Sequence, residues 1–214
     1  MMIRAYDELY LESAQNILGH AVDFALMTLD IDADAFADAF LVSDASKRFA
    51  MGDPSYVAGI NGCELTRLIL EQTCLTFTDH EDVMYIDRSP EYWSGWALAY
   101  YQWYTGRPFD MILSAVPLSH IIMMYSPYHE MDISQFTDEM ERRVKNAYPF
   151  TKLKMIRSQC GISQSALSRQ SGVPLRQIQL FEQERRDINK TSAITLRKLS
   201  HALHCGMEDL MEIR

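Results

Sequence analysis

Residues 161–184 read GISQSALSRQSGVPLRQIQLFEQE, and this stretch decides the reading of the last third of the chain. Ser163 is placed to cap a helix over Gln164 to Gln170, since a hydroxyl just ahead of a helix accepts from its unpaired N–H groups. Gly172 follows where a tight inter-helix turn needs a residue tolerant of positive φ, and Pro174 opens a second helix running to about Gln183. Two short helices joined by a glycine-containing turn, the second studded with polar side chains, make a helix-turn-helix. Outward from it, Leu153, Ile156, Ile162, Leu167, Val173, Ile178, Phe181, Leu196, Leu199 and Leu203 recur at intervals that suit a compact bundle of short helices.

The run Leu153-x-x-Ile156-Arg157, Gly161-Ile162-Ser163-Gln164-x-x-Leu167, Ser171-Gly172-Val173, Ile178-x-x-Phe181-Glu182 and Leu196-x-x-Leu199-x-x-Ala202-Leu203 resembles the Xre/Cro family of DNA-binding domains. The resemblance covers roughly the last 62 residues. It implies a five-helix, lambda-repressor-like domain, with Thr191 to His204 as the fourth helix and Met207 to Ile213 as the fifth. It also implies that Gln164 anchors the domain on DNA and that Leu175, Arg176, Gln177 and Gln179 face base edges in the major groove. The chemistry of those side chains agrees: arginine can bind guanine bidentately, glutamine can do the same with adenine, and leucine can meet a thymine methyl. Arg185, Arg186 and Lys190, just after the second helix, are placed to meet phosphates. With Ser163 at the helix start, these residues form the expected DNA-binding set. Glu184 departs from the family, which usually has glycine there.

Charge divides the chain in the same place. Residues 1–149 hold nine Lys and Arg against twenty-three Asp and Glu, or −14, whereas residues 150–214 hold eleven against six, or +5, together the −9 of the whole. A cationic module attached to an acidic one reads first as a nucleic-acid binder tethered to something else. The expected domains are therefore 1–149, an acidic helical domain, and 150–214, the DNA-binding domain, with the boundary at Tyr148-Pro149.

The remaining composition excludes several classes. Hydrophobic residues at 48% and charged residues at 23% match a folded globular chain, against disorder or a collagen-like repeat. The richest apolar stretch, Met111 to Met124, is interrupted by Ser114, Pro117, Ser119 and His120, so no membrane span is expected. Asp7, Glu8 and Glu12 argue against a secretory leader. Cys63, Cys74, Cys160 and Cys205 lie far apart without a CxxC pair, which suggests neither a zinc knuckle nor a disulfide framework and fits a reducing cytoplasm.

The first part reads as all-α and irregular. Tyr10, Ala14, Ile17, Ala21 and Phe24 carry a helical stripe. Asp32 or Asp34, and Ser43 or Asp44, are candidate caps for the next two helices, and Gly52-Asp53-Pro54 is a stop. Another helix spans Asn61 to about Thr73, and Ser89-Pro90-Glu91 starts one that Gly106-Arg107-Pro108 ends. Pro108 to Val116, Leu118 to Tyr125 and Ile133 to Ala147 follow. Leu75 to Thr78 and Val83 to Asp87 could pair as a small hairpin. Ser89 to Met131 concentrates aromatic side chains, which reads as core ahead of a ligand pocket or interface, because Trp96, Tyr100 and Trp103 share a helical face. His129, Glu130 and Asp132, and His80, Glu81 and Asp82, lack metal-ligand spacing such as HExxH, and no cysteine has an activating arrangement. No metal, cofactor or enzymatic activity is expected.

The expectation is a cytoplasmic, homodimeric DNA-binding transcriptional regulator, a repressor in type, whose partners are double-stranded DNA and a small-molecule effector at the first domain. The rival expectation is an antitoxin-like protein whose first domain covers a toxin while the second represses its own operon.

Overall fold

In a computed structural model describing residues 4–82 and 88–212, all regular structure among the described residues is helical, as the all-α reading requires. The chain divides into two units, Met1–Ala147 and Tyr148–Ile213. The first contains α1 (Leu11–Asp23), α2 (Ala33–Val42), α3 (Asp44–Ala50), α4 (Pro54–Val57), α5 (Gly62–Thr73), α6 (Pro90–Thr105), α7 (Phe109–Ala115), α8 (Leu118–Met123), α9 (Tyr125–Tyr128) and α10 (Ile133–Ala147). A π-helical turn, Phe24–Thr28, extends α1.

The ends of these helices follow from their caps. Of the two candidates before α2, Asp32 accepts from the Asp34 and Ala35 amides. Ser43 precedes α3 but spends its hydroxyl on the Phe40 carbonyl at 2.7 Å. Asp53 caps α4, a helix not foreseen beyond the Gly52 stop. Asn61 and Glu64 form a reciprocal capping box on α5. Ser89 caps α6, and Gly106, at φ 66°, ends it. The segment read as one helix from Leu118 to Tyr125 is two, since Tyr125 begins α9.

The suggested hairpin is not formed by its first arm: Leu75 to Thr78 is irregular chain beyond the left-handed Cys74, while Val83 to Asp87 lies outside the described residues. Arg67 of α5 explains why. It donates to Asp79 at 2.8 Å, to Asp82 at 2.7 Å and to the His80 carbonyl at 2.6 Å, so that Asp79 to Asp82 wrap one guanidinium instead of turning between strands. His129, from the other candidate metal cluster, stacks on Tyr125 and bonds its carbonyl. Among the described residues no group of three or more His, Cys, Asp or Glu is arranged to hold a metal ion.

Helix α6 lies at the centre. Buried residues, including Tyr92, Leu98, Tyr101 and Trp103, cover most of its circumference, and Trp93, Trp96, Tyr100 and Tyr104 share a half-buried face. Of the aromatic segment, Tyr92, Tyr101, Trp103 and Phe109 are core, while Trp93, Trp96, Tyr100, Tyr104, Tyr125 and Tyr128 are half-buried. Trp93 packs edge-on against Phe136 of α10, and the Trp103 indole donates to the Tyr6 carbonyl at 2.9 Å. At the C-terminal end of α6, Arg107 is bidentate to Glu141 and donates to the Tyr101 hydroxyl at 2.6 Å. Burial opposes the charge on both members of that ion pair, yet each guards the other: Glu141 is held below its ordinary pKa and Arg107 above its own.

Close approach of α1 to its neighbours depends on glycine. A Cβ on Gly95 of α6 would stand 2.4 Å from the Leu18 carbonyl oxygen, and one on Gly62 of α5 would stand 2.6 Å from the Ala21 nitrogen. Thr66 then reaches the Ala21 carbonyl at 2.9 Å.

The second unit contains α11 (Lys152–Gln159), α12 (Gln164–Ser171), α13 (Leu175–Glu182) and α14 (Ala193–Leu203), with 3₁₀ turns at Ile188–Lys190 and Glu208–Leu210. Leu153, Leu167, Val173, Ile178, Phe181, Ile188, Leu196, Leu199, Leu203 and Leu210 form its core. The fourth helix is shorter than expected, starting after the cap Ser192. The fifth element is a single 3₁₀ turn. Leu210 buries there, and the chain beyond it is held by Glu212, whose amide donates to Asn189 Oδ1 at 2.9 Å and whose carboxylate accepts from the Lys152 amide at 2.7 Å.

Replacing Gly95 with alanine should destabilise the first unit by about 1–3 kcal/mol, because the added methyl meets backbone that cannot turn aside. All three tryptophans, Trp93, Trp96 and Trp103, belong to α6. Urea denaturation followed by tryptophan fluorescence will therefore read this unit alone, and the midpoint of Gly95→Ala should fall.

Candidate nucleic-acid interface

The helix-turn-helix is α12, the turn at Gly172 and α13. Ser163 caps α12 by accepting from the Ala166 amide at 3.1 Å. The turn closes as the glycine predicts: Gly172 has φ 66°, and its amide donates to the Ser168 carbonyl at 2.9 Å. The Ser168 hydroxyl, in turn, donates to the Val173 carbonyl at 2.7 Å. Pro174 is the N-cap of α13, one residue outside the helix it was expected to open.

What fixes α13 against α11 and α12 is the carboxylate of Glu182. Its side chain is 2% exposed and that of Arg157 13%. Arg157 Nε donates to Oε1 at 2.6 Å and Nη2 to Oε2 at 2.9 Å, while Arg157 Nη1 donates to the Ile162 carbonyl at 2.7 Å. Donating to Glu182 raises the Arg157 pKa above its ordinary value. Gln164 Nε2 completes the set, donating to Oε2 at 2.8 Å. One carboxylate thus joins three helices, and Gln164, the expected DNA anchor, has its amide nitrogen turned inward to it.

A residue advance of about 100° then distributes the rest of α13. Ile178 and Phe181 are buried and Glu182 points with them. Arg176 and Leu180 fall about 160° from Ile178, on the outward face, with Gln183 beside them. Gln177 and Gln179 lie on opposite flanks, both half-buried, and Gln177 donates to Thr191 Oγ1 at 3.4 Å. Leu175 falls about 60° from Ile178 and is half-buried, nearer the core than the outward face. The expected set omits Leu180 and Gln183, although a helical projection centred on Ile178 would have included both.

Past α13 the chain closes a Schellman motif: the Glu184 amide donates to the Phe181 carbonyl and the Arg185 amide to the Leu180 carbonyl, each at 3.0 Å. Glu184 takes φ 56°, the left-handed conformation that the usual glycine would supply. Glu184 thus closes the turn in spite of its side chain. Arg185 and Arg186 are exposed beyond it, Arg186 lying 5.9 Å over the Phe181 ring. Lys190 is 82% exposed and 3.9 Å from Asp187, a contact too loose and too wet to hold it.

The family model of the Cro/C1-type HTH DNA-binding domain matches residues 152–214, and the second unit carries that domain. Comparison of the chain with curated proteins and with solved structures finds no match. The family match covers none of the first unit. Among the described residues no helix is long and apolar enough to cross a membrane.

Two substitutions test the architecture. Glu182→Ala leaves a buried guanidinium without its counter-charge and should cost about 3–5 kcal/mol, enough to unfold a unit of this size. Circular dichroism at 222 nm should lose the helical signal of the second unit while tryptophan fluorescence stays native. Glu184→Gly relieves a left-handed side chain at some cost in unfolded-chain entropy and should stabilise by up to about 1 kcal/mol. The melting transition of the second unit should rise accordingly.

Proposed function

We propose that the protein is a cytoplasmic transcriptional repressor that binds an operator through α12 and α13 as a homodimer. The observation that carries this reading is the division of α13: Glu182 is consumed inside the unit, so the outward face offers Arg176, with Gln179 on its flank, and the chain beyond offers Arg185, Arg186 and Lys190, without a carboxylate of α13 among them. Arg176 would read a base edge and the later cations would meet phosphates, with Ser163 and the α12 N-terminus against the backbone. Gln164 would act mainly by holding Glu182. Leu175 and Gln177 contribute at the margins of the face, where Leu175 can reach a thymine methyl. Two such helices must stand about 34 Å apart to meet successive major grooves, which is what a dimer supplies. The acidic first unit, at −14 by residues 1–149, would discourage unspecific DNA binding.

The test is fluorescence anisotropy with a duplex from the chain's own upstream region against a scrambled duplex. Selective binding to the first supports an autoregulator; equal, weak and salt-sensitive binding to both overturns it and favours the partner-neutralising reading. Arg176→Ala should reduce operator preference by about 1–3 kcal/mol, whereas Lys190→Ala should weaken both duplexes alike and lower the salt slope by about 1.

A further inference from the structure

Seven arginines fall within residues 4–147, and five of them pair with carboxylates: Arg48 with Asp53, Arg67 with Asp79 and Asp82, Arg107 with Glu141, Arg142 and Arg143 with Glu139. Arg4 lies over the Trp103 and Tyr104 rings and donates to the Tyr104 carbonyl. Arg88 differs in that no hydrogen bond holds its guanidinium among the described residues. Among the described residues it has no carboxylate partner; its guanidinium lies 5.0 Å over the Tyr92 ring, at the edge of a cavity of about 440 Å³ between α1 and the starts of α5 and α6. In a unit where acids outnumber bases more than twofold, a cation left unpaired in a concave site stands out.

Asn16 and His20 offer donors there as well. The Tyr92 hydroxyl donates to Asn16 Oδ1 at 2.7 Å, which turns the Asn16 NH₂ away with no partner among the described residues. His20 packs edge-on against Tyr92, with ring centroids 4.7 Å apart, and burial lowers its pKa, so at neutral pH the ring is uncharged and retains one N–H. Asp82 is the carboxylate in the lining and is paired with Arg67, and Asp23, close by, accepts from the Ser89 hydroxyl. Ile17 and Ile60 supply an apolar wall. A guanidinium, an amide NH₂ and an imidazole N–H beside aliphatic side chains match an anion with an apolar body, and the volume lies in the range of small-molecule sites.

We propose that this cavity binds a small organic carboxylate, the carboxylate held by Arg88 and Asn16 and the apolar body resting on Ile17 and Ile60. The site stands whether or not the chain represses, since its occupancy is measured without DNA. Phenylacetate titrated calorimetrically into the full chain should bind saturably with a Kd below about 1 mM. Binding should weaken at least about tenfold for the neutral isostere phenylacetamide and in Arg88→Gln, and stay unchanged in Arg4→Gln. Arg88 is exposed, so its variant should fold; if its fluorescence melt falls, the phenylacetamide comparison decides alone. No saturation by about 10 mM, equal affinity for acid and amide, or a loss in Arg4→Gln equal to that in Arg88→Gln would overturn the proposal.

Discussion

The placement of α13 depends on one buried carboxylate. Glu182 accepts from Arg157 of α11 and Gln164 of α12. A buried charge is costly unless its partner is equally well placed, and here both oxygens are filled by directed donors. The consequence for function is geometric. By drawing the C-terminal end of α13 inward, the ion pair determines which side of that helix faces out, and so which side chains share a surface with Arg185, Arg186 and Lys190.

Much of this was legible in the sequence because it is local. Ser163, Gly172, Asn61, Ser89 and Gly106 act within a few residues of themselves, and their caps and turns stand where their chemistry put them. The helix-turn-helix needed only the period of Leu167, Ile178 and Phe181 around a glycine. Long-range partners were not legible. Nothing near Asp79 to Asp82 in the sequence announces Arg67, twelve or more residues away, whose claim on that segment takes up the residues meant to turn between two strands. The fifth helix shrank to a turn because Glu212 is taken up by Asn189 and Lys152 instead of continuing a helical ladder. Within the site, the inward turn of Gln164 and the core-side position of Leu175 follow from Glu182 and Ile178, which a motif cannot weigh against each other.

The two units solve the problem of burying charge differently. In the second, the buried pair is central and joins three helices. In the first, Arg107 and Glu141 sit at the end of α6, with Tyr101 bridging them, while the central contacts are apolar or backbone to backbone. Apart from Asp23, which is buried and accepts from the Ser89 hydroxyl, most of the surplus acid in that unit remains at its surface, where repulsion is screened by salt and contributes little to the fold.

Gly62 belongs both to the tight seam between α1 and α5 and to the wall of the cavity that Arg88 borders. Backbone that close to backbone cannot flex inward or retreat without opening the seam. The wall is therefore as stiff as the interior it continues, and a molecule entering there meets a shape already set, losing its own freedom of motion but demanding little from the protein's. Drift at this glycine is likewise closed off, since any side chain would alter helix spacing and cavity outline in a single step.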